Sequence, residues 1–173
     1  MQDISIYHYK SPIGEILLGS FEGKLCLADW RYRKQRTTLD NRIQKGLDAI
    51  YIEEKSEVIM ETIKQFEEYF KGERKIFTIP LLLIGTPFQK SVWEELIKVP
   101  YGTTLSYLDL AKSIGNEKAV RAVASANGAN AISVMIPCHR IIGKNGDLVG
   151  YAGGLGVKKK LLALENNFFT LTL

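Results

Sequence analysis

The chain has 173 residues, room for one large or two small domains with a sizeable core, and its 46% hydrophobic and 24% charged residues suit a globular protein, not a disordered or fibrous one. No apolar run is long enough to span a bilayer, and Met1-Gln2-Asp3-Ile4 lacks the basic-then-apolar start of a secretion signal, so a cytoplasmic protein with no membrane partner is expected. The net charge of +4 is unevenly spread: residues 1–85 hold 13 basic and 13 acidic side chains and residues 86–173 hold 10 and 6, so a polyanionic partner should meet the second half.

The first stretch reads as a strand meander. Ile4 to Tyr9 comes first, Ser11-Pro12-Ile13-Gly14 turns, Glu15 to Gly19 follows, Glu22-Gly23 turns again, and Lys24 to Trp30 closes the set. Leu39, Ile43, Leu47 and Ile50 recur at helical spacing, as do Ile59, Ile63, Phe66 and Phe70 before a stop at Gly72. Residues 1–80 therefore form a small α+β unit, and 81–85 an apolar connector. Cys26 and His8 fall among these strands and read as structural. With two Cys and two His in the chain, and no Cys-x-x-Cys or His-x-x-x-His spacing, neither a metal nor a disulfide is expected.

After residue 85 the pattern changes. Thr86-Pro87-Phe88-Gln89 is a capping box with Pro at the first helical position, opening a helix that should bury Val92, Trp93, Leu96 and Ile97 before Pro100. A turn at Tyr101-Gly102-Thr103-Thr104 leads to a second capping box, Ser106-Tyr107-Leu108-Asp109, whose helix should turn Leu108, Ala111 and Ile114 inward. Asn116 is then the expected cap of a helix running from Glu117 to about Asn127. Two short helices across a Gly-containing turn outline a helix-turn-helix. The second is built of small residues (Ala119, Ala122, Ser125 and Ala126 among them) around one arginine, Arg121. Small side chains permit close approach to a surface into which Arg121 can reach.

Val134 to Ile142 reads as an apolar strand that holds Cys138 and His139 side by side. A free Cys is often simply a small buried hydrophobe, whereas a polar pair in an apolar run is costly without partners or a use. Lys144-Asn145-Gly146-Asp147 is a tight turn and 149–156 a glycine-rich loop lacking a P-loop ending. A last helix from about Val157 to Asn166 places Val157, Leu161 and Leu164 on one face and Glu165 near it, where a carboxylate needs a partner. Cys138, His139 and Glu165 together supply a thiol, a base and a carboxylate to orient the base.

Ile-Pro-Cys-His-Arg at 136–140 followed by Tyr-Ala-Gly-Gly-Leu at 151–155 strongly resembles the O6-alkylguanine-DNA alkyltransferases, also called methylated-DNA–protein-cysteine methyltransferases. The likeness is detailed over residues 86–173 and general before that. It implies a ribonuclease H-like first domain, with an antiparallel sheet and helices, and a mostly helical second domain that binds double-stranded alkylated DNA through the minor groove. It also implies a monomer that needs no cofactor. By the same resemblance Cys138 is the acceptor that keeps the alkyl group as a thioether, His139 its base through water, and Glu165 the carboxylate holding the imidazole. Asn130 ties the helix-turn-helix to the active-site strand. Arg121, with Ala119, Ala122, Ser125 and Ala126 around it, fills the gap left by a flipped nucleotide. Tyr107 donates to the flipped base, and Ile141, Tyr151, Ala152 and Lys158 line its pocket. Ala152 stands where some members have Ser, and the Cys and His of members with an amino-terminal zinc site are missing.

Two other readings use the same residues. One is a turning-over cysteine hydrolase with a Cys/His/Glu triad, which has no use for Arg121 on a helix-turn-helix. The other is a non-catalytic lesion-binding DNA protein, whose kind lacks the acceptor cysteine that this chain keeps.

Overall fold

The structure, a computed structural model, describes residues 1–166. The chain divides into two compact units, Met1–Gly85 and the residues from Thr86 onward.

In the first unit, β1 (Gln2–Ser11), β2 (Gly14–Phe21) and β3 (Lys24–Trp30) form the expected antiparallel meander. The β2–β3 turn works because Glu22 and Gly23 both take positive φ (48° and 78°), which matches the twist of a hairpin. α1 (Arg36–Leu47) buries Leu39 and Ile43 and stops at Asp48, whose left-handed conformation ends the helix. Ile50 therefore does not extend α1. It lies on β4 (Ala49–Glu53), an unforeseen strand that pairs parallel with β1, giving the order β3-β2-β1-β4. The sheet is thus mixed, not purely antiparallel, because α1 carries the chain across from β3 to the far edge. α2 (Glu57–Phe70), capped by Ser56, buries Ile59 and Phe66, and Phe66 stacks on Tyr9 at 5.9 Å. Residues 80–82 are more than a connector: Leu25 donates to Pro80 O, Leu82 N–H returns to Leu25 O, and Leu81 bridges Leu25 on the open side of β3.

In the second unit, α3 (Pro87–Ile97) has the anticipated capping box between Thr86 and Gln89. It buries Val92, Trp93 and Leu96, but Ile97, expected inward, is exposed on the last turn. β5 (Leu105–Ser106) runs into α4 (Tyr107–Ser113), whose capping box joins Ser106 and Asp109. Leu110 and Ala111 face inward here, while Leu108 is exposed, a one-residue shift of the apolar stripe. The third helix begins differently from expectation. Asn116 makes no side-chain cap, and a 3₁₀ turn at Glu117–Ala119 precedes α5 (Val120–Gly128). The Trp93 indole donates to Ala126 O at 2.8 Å, fastening α3 to α5. α6 (Leu155–Glu165) starts two residues earlier than its apolar stripe suggests, from Gly154 at φ 91°. Its buried face is Lys158, Leu161, Leu162, Ala163 and Glu165, with Val157 and Leu164 only half covered.

Candidate active site

The apolar run 134–142 is not a strand. Val134 takes φ 73°, a costly conformation for a β-branched residue, and the chain doubles back so that Met135 N–H bonds Ser133 O and Ile136 N–H bonds Ile132 O. Pro137 then leads into a single 3₁₀ turn, Cys138–Arg140, and only Ile141–Ile142 remains extended, as β6 pairing parallel with β5. The physical reason is the Asn130 side chain, which competes with any sheet ladder for this backbone. Its Oδ1 accepts from Ile132 N–H (3.0 Å), while Nδ2 donates to Ile136 O (2.9 Å) and reaches Cys138 Sγ at 3.2 Å.

On the 3₁₀ turn, Cys138 and His139 are both buried, and they are not forced onto opposite faces as in a strand. His139 Nε2 lies 2.7 Å from Glu165 Oε2, whereas Nδ1 is buried with no hydrogen-bond partner. Arg140 completes the group: Nε and Nη2 donate to the two Glu165 oxygens at 2.8 and 3.0 Å, and Nη1 donates to Val99 O at 2.6 Å. Gly102 N–H adds a bond to Glu165 Oε1 at 3.2 Å. Burial alone would push the Glu165 carboxyl up, but hydrogen bonds and charge from His139 and Arg140 outweigh it and hold the carboxylate well below its ordinary range. Burial pushes His139 down, more strongly than Glu165 lifts it, so the imidazole is neutral. An ionised carboxylate only accepts, hence Nε2 carries the proton and Nδ1 is the acceptor.

Tyr107, the first residue of α4, donates its hydroxyl to Val149 O at 3.1 Å, and burial, then the nearby Cys138, raise its pKa. Lys158 is wholly buried, and its ammonium donates to Ile141 O (2.6 Å), Val149 O and Gly150 O (3.2 Å each). Burial lowers its pKa to about 8, with Cys138 acting in the opposite sense. Val149 O is therefore a shared acceptor that ties α4, α6 and the glycine loop together. Tyr151 and Ala152 sit half-exposed on that loop, and Ile141 is buried beneath it.

Cys138, His139, Glu165, Asn130, Tyr107 and Lys158 thus share one neighbourhood. On α5, Arg121, Ala122 and Ser125 are exposed, and Ala119, in the preceding 3₁₀ turn, is half-covered. Ala126, expected on the contact face, is buried on the stripe with Val123 that packs inward, and its backbone O accepts from the Trp93 indole. Arg140 is the residue that sequence reasoning left without a role. The signal was present, since a guanidinium inside an apolar run and a carboxylate on a helix's inner face each need a counter-charge.

Among the described residues no group of His, Cys, Asp and Glu is arranged to hold a metal ion, and no helix is long and apolar enough to cross a membrane.

The second unit thus combines a buried thiol, a buried imidazole–carboxylate–guanidinium group and a helix pair that exposes an arginine. The family model described as 6-O-methylguanine DNA methyltransferase, DNA binding domain, matches residues 87–167, and the ribonuclease-like domain of the same proteins matches residues 6–83. The methylated-DNA–protein-cysteine methyltransferase of Methanosarcina acetivorans is 44% identical over 160 residues, covering 92% of this chain and 96% of that one. The constitutive enzyme of the same name from Bacillus subtilis is 40% identical over 162 residues, covering 90% and 92%. Among solved structures, Mycobacterium tuberculosis OGT in complex with DNA matches with a TM-score of 0.80 at 35% identity, covering 95% of this chain and 93% of that one. The chain belongs to the 6-O-methylguanine DNA methyltransferase family, whose members act in DNA repair by alkyl transfer.

Proposed function

We propose that this chain repairs double-stranded DNA by moving one alkyl group from O6 of guanine irreversibly to Cys138. The observation that carries this reading is the Cys138–His139–Glu165 arrangement, in which a buried Nδ1 with no protein partner lies one residue from the thiol. Through a bridging water, Nδ1 takes the thiol proton, and Glu165 holds the imidazolium so formed. The thiolate is the competent nucleophile. Its lone pair forms the new S–C bond while the C–O6 pair leaves with the guanine; the guanine anion takes a proton from Tyr107, which the imidazolium restores, so that the thiol proton ends on the base. The step balances without a cofactor.

In-line attack requires the base to leave the stack, at a cost of a few kcal/mol. α4 and α5 enter the minor groove, with Ala119, Ala122 and Ser125 allowing close approach and Arg121 occupying the vacated space. Tyr107 gives up Val149 O and donates to the base instead, stabilising charge on the leaving group. Tyr151 and Ala152 on the glycine loop wall the pocket, with Ile141 behind them. Residues 86–173 carry this chemistry as a monomer in the cytoplasm, and residues 1–80 support them.

The test is intact-mass analysis after incubation with an O6-methylguanine duplex. The expected result is one added methyl on the Cys138 peptide, at about one equivalent per molecule, and none with Cys138→Ala. Repeated product release would make the protein a hydrolase. Tight binding with no added mass would make it a lesion binder.

A further inference from the structure

We propose that Arg140 is a positioning residue that fixes His139 as the neutral Nε2–H tautomer, so that Nδ1 stays an acceptor for the Cys138 proton. The inference rests on the reading of Cys138 as the alkyl acceptor. Glu165 places one negative charge in a buried site, and two neighbours stand ready to balance it: His139 at 2.7 Å and Arg140 at 2.8 and 3.0 Å. A guanidinium keeps its proton under all conditions in which proteins work, and its two parallel bonds to a carboxylate are the stronger arrangement. Its remaining nitrogen is anchored on Val99 O, so the cation is held at the carboxylate from both sides. With Arg140 present, Arg140 and Glu165 sum to zero, and protonating His139 would add an uncompensated charge to a buried site.

The other ionisable groups around His139 act in the same direction or stand farther off. On its own turn the neighbours are Cys138 and Arg140, and α6 contributes Glu165 and Lys158, the latter a second cation that disfavours imidazolium. Tyr101, on the turn after α3, lies under the Arg140 guanidinium at 5.8 Å and faces Glu165; Tyr107 of α4 faces Cys138. Only Glu165 pulls a proton onto the imidazole, and Arg140 already occupies both of its oxygens.

If Arg140 loses its charge, His139, at 2.7 Å, is the neighbour placed to neutralise Glu165. An opposite charge at this range moves a pKa by roughly one to three units, so the proton acceptor is lost over that span of pH. The experiment measures methyl transfer from a methylated duplex between pH 5.5 and 9 for the wild type, Arg140→Gln and Arg140→Lys. Arg140→Gln is expected to shift the acid limb upward by at least about one pH unit, with a rate at pH 6 reduced tenfold or more relative to its own rate at pH 8.5. Arg140→Lys should restore much of the acid limb. A uniform loss at every pH would mean that Arg140 merely holds the fold, and would overturn the proposal.

Nitrogen NMR of His139 in the wild type supplies a reading that depends neither on the variant folding nor on alkyl transfer. The expected signals are those of a neutral ring protonated at Nε2 at pH 7, and an imidazolium there would refute the role given to Arg140. Failure to methylate Cys138 with the neutral ring intact would instead count against the acceptor assignment.

Discussion

The side-chain amide of Asn130 reaches Cys138 Sγ at 3.2 Å while bridging Ile132 and Ile136, so one buried residue both shapes the active-site loop and touches the nucleophile. Asn130→Ala would leave Ile132 N–H without its acceptor, at a cost of roughly 1–3 kcal/mol, plus a small cavity. Transfer should fall further than stability does, because the Val134–Pro137 turn relaxes and Sγ loses a donor. Asn130→Asp keeps the acceptor but sets a carboxylate against the thiol, and is expected to retain more stability and lose as much rate. Thermal unfolding measured beside single-turnover transfer separates the two effects.

Glu165 carries a second prediction. Glu165→Gln removes the negative charge from the Arg140 pair and strands a buried guanidinium, a kind of change that costs about 3–5 kcal/mol. The pH dependence follows from the direction of the shift. The carboxyl is depressed in the folded state, so its stabilisation is complete above the ordinary carboxylate range and is lost progressively as pH falls from that range through the depressed folded value. Urea unfolding of the wild type should therefore show this contribution unchanged between pH 6 and 8. The Gln variant should lack the steep loss of stability below pH 4, and equal acid sensitivity in both proteins would contradict this account.

How much of this was legible in sequence depends on how local the determining interaction is. The capping boxes Thr86–Gln89 and Ser106–Asp109 join residues three apart, and the structure has both. The Cys138–His139–Glu165 grouping was legible because three rare chemistries stood in an apolar setting. β4 was not, since its pairing with β1 is a parallel contact across a helix, and Ile50 continues the helical spacing of Leu39, Ile43 and Leu47. The run 134–142 misled for a related reason: its composition suits a strand, but its backbone partners are supplied by Asn130, outside the run. Ala126 was expected on the contact face because an alanine reads alike on either face of a helix, and its burial beside Val123 comes from how α5 packs.

Lys158 has its pKa lowered to about 8 from 10.5, chiefly by burial. Its folded state gives up the proton before the unfolded chain does, so the cost, roughly 3 kcal/mol, is borne in full below pH 8 and relieved as pH rises toward 10.5. What is gained for that cost is a three-way clamp on Ile141, Val149 and Gly150. Above pH 8 the amine has one donor fewer, and transfer should slow even as this group's burden on stability lightens. Lys158→Met, which keeps the bulk without the charge, is expected to raise amide hydrogen exchange across residues 143–154 and to cut transfer at least tenfold. Unchanged exchange there would remove the clamp from the explanation.

Arg121 provides the sharpest separation of DNA handling from chemistry. It is exposed on α5, so Arg121→Ala should change stability by no more than about 0.5 kcal/mol. The site around Cys138 stays intact, and reaction with a free O6-alkylated base should be near wild type. Repair within a duplex should drop by tenfold or more, because the side chain that holds the extruded state open is gone, and a mispaired lesion, already partly unstacked, should suffer less. Duplex affinity should decline only modestly and keep most of its linear dependence on the logarithm of salt concentration, since backbone phosphates dominate such binding and Arg121 is one cation among several. The comparison is single-turnover transfer on free base, matched duplex and mismatched duplex at two salt concentrations. An equal loss on all three substrates would place Arg121 in the chemical step instead of in extrusion.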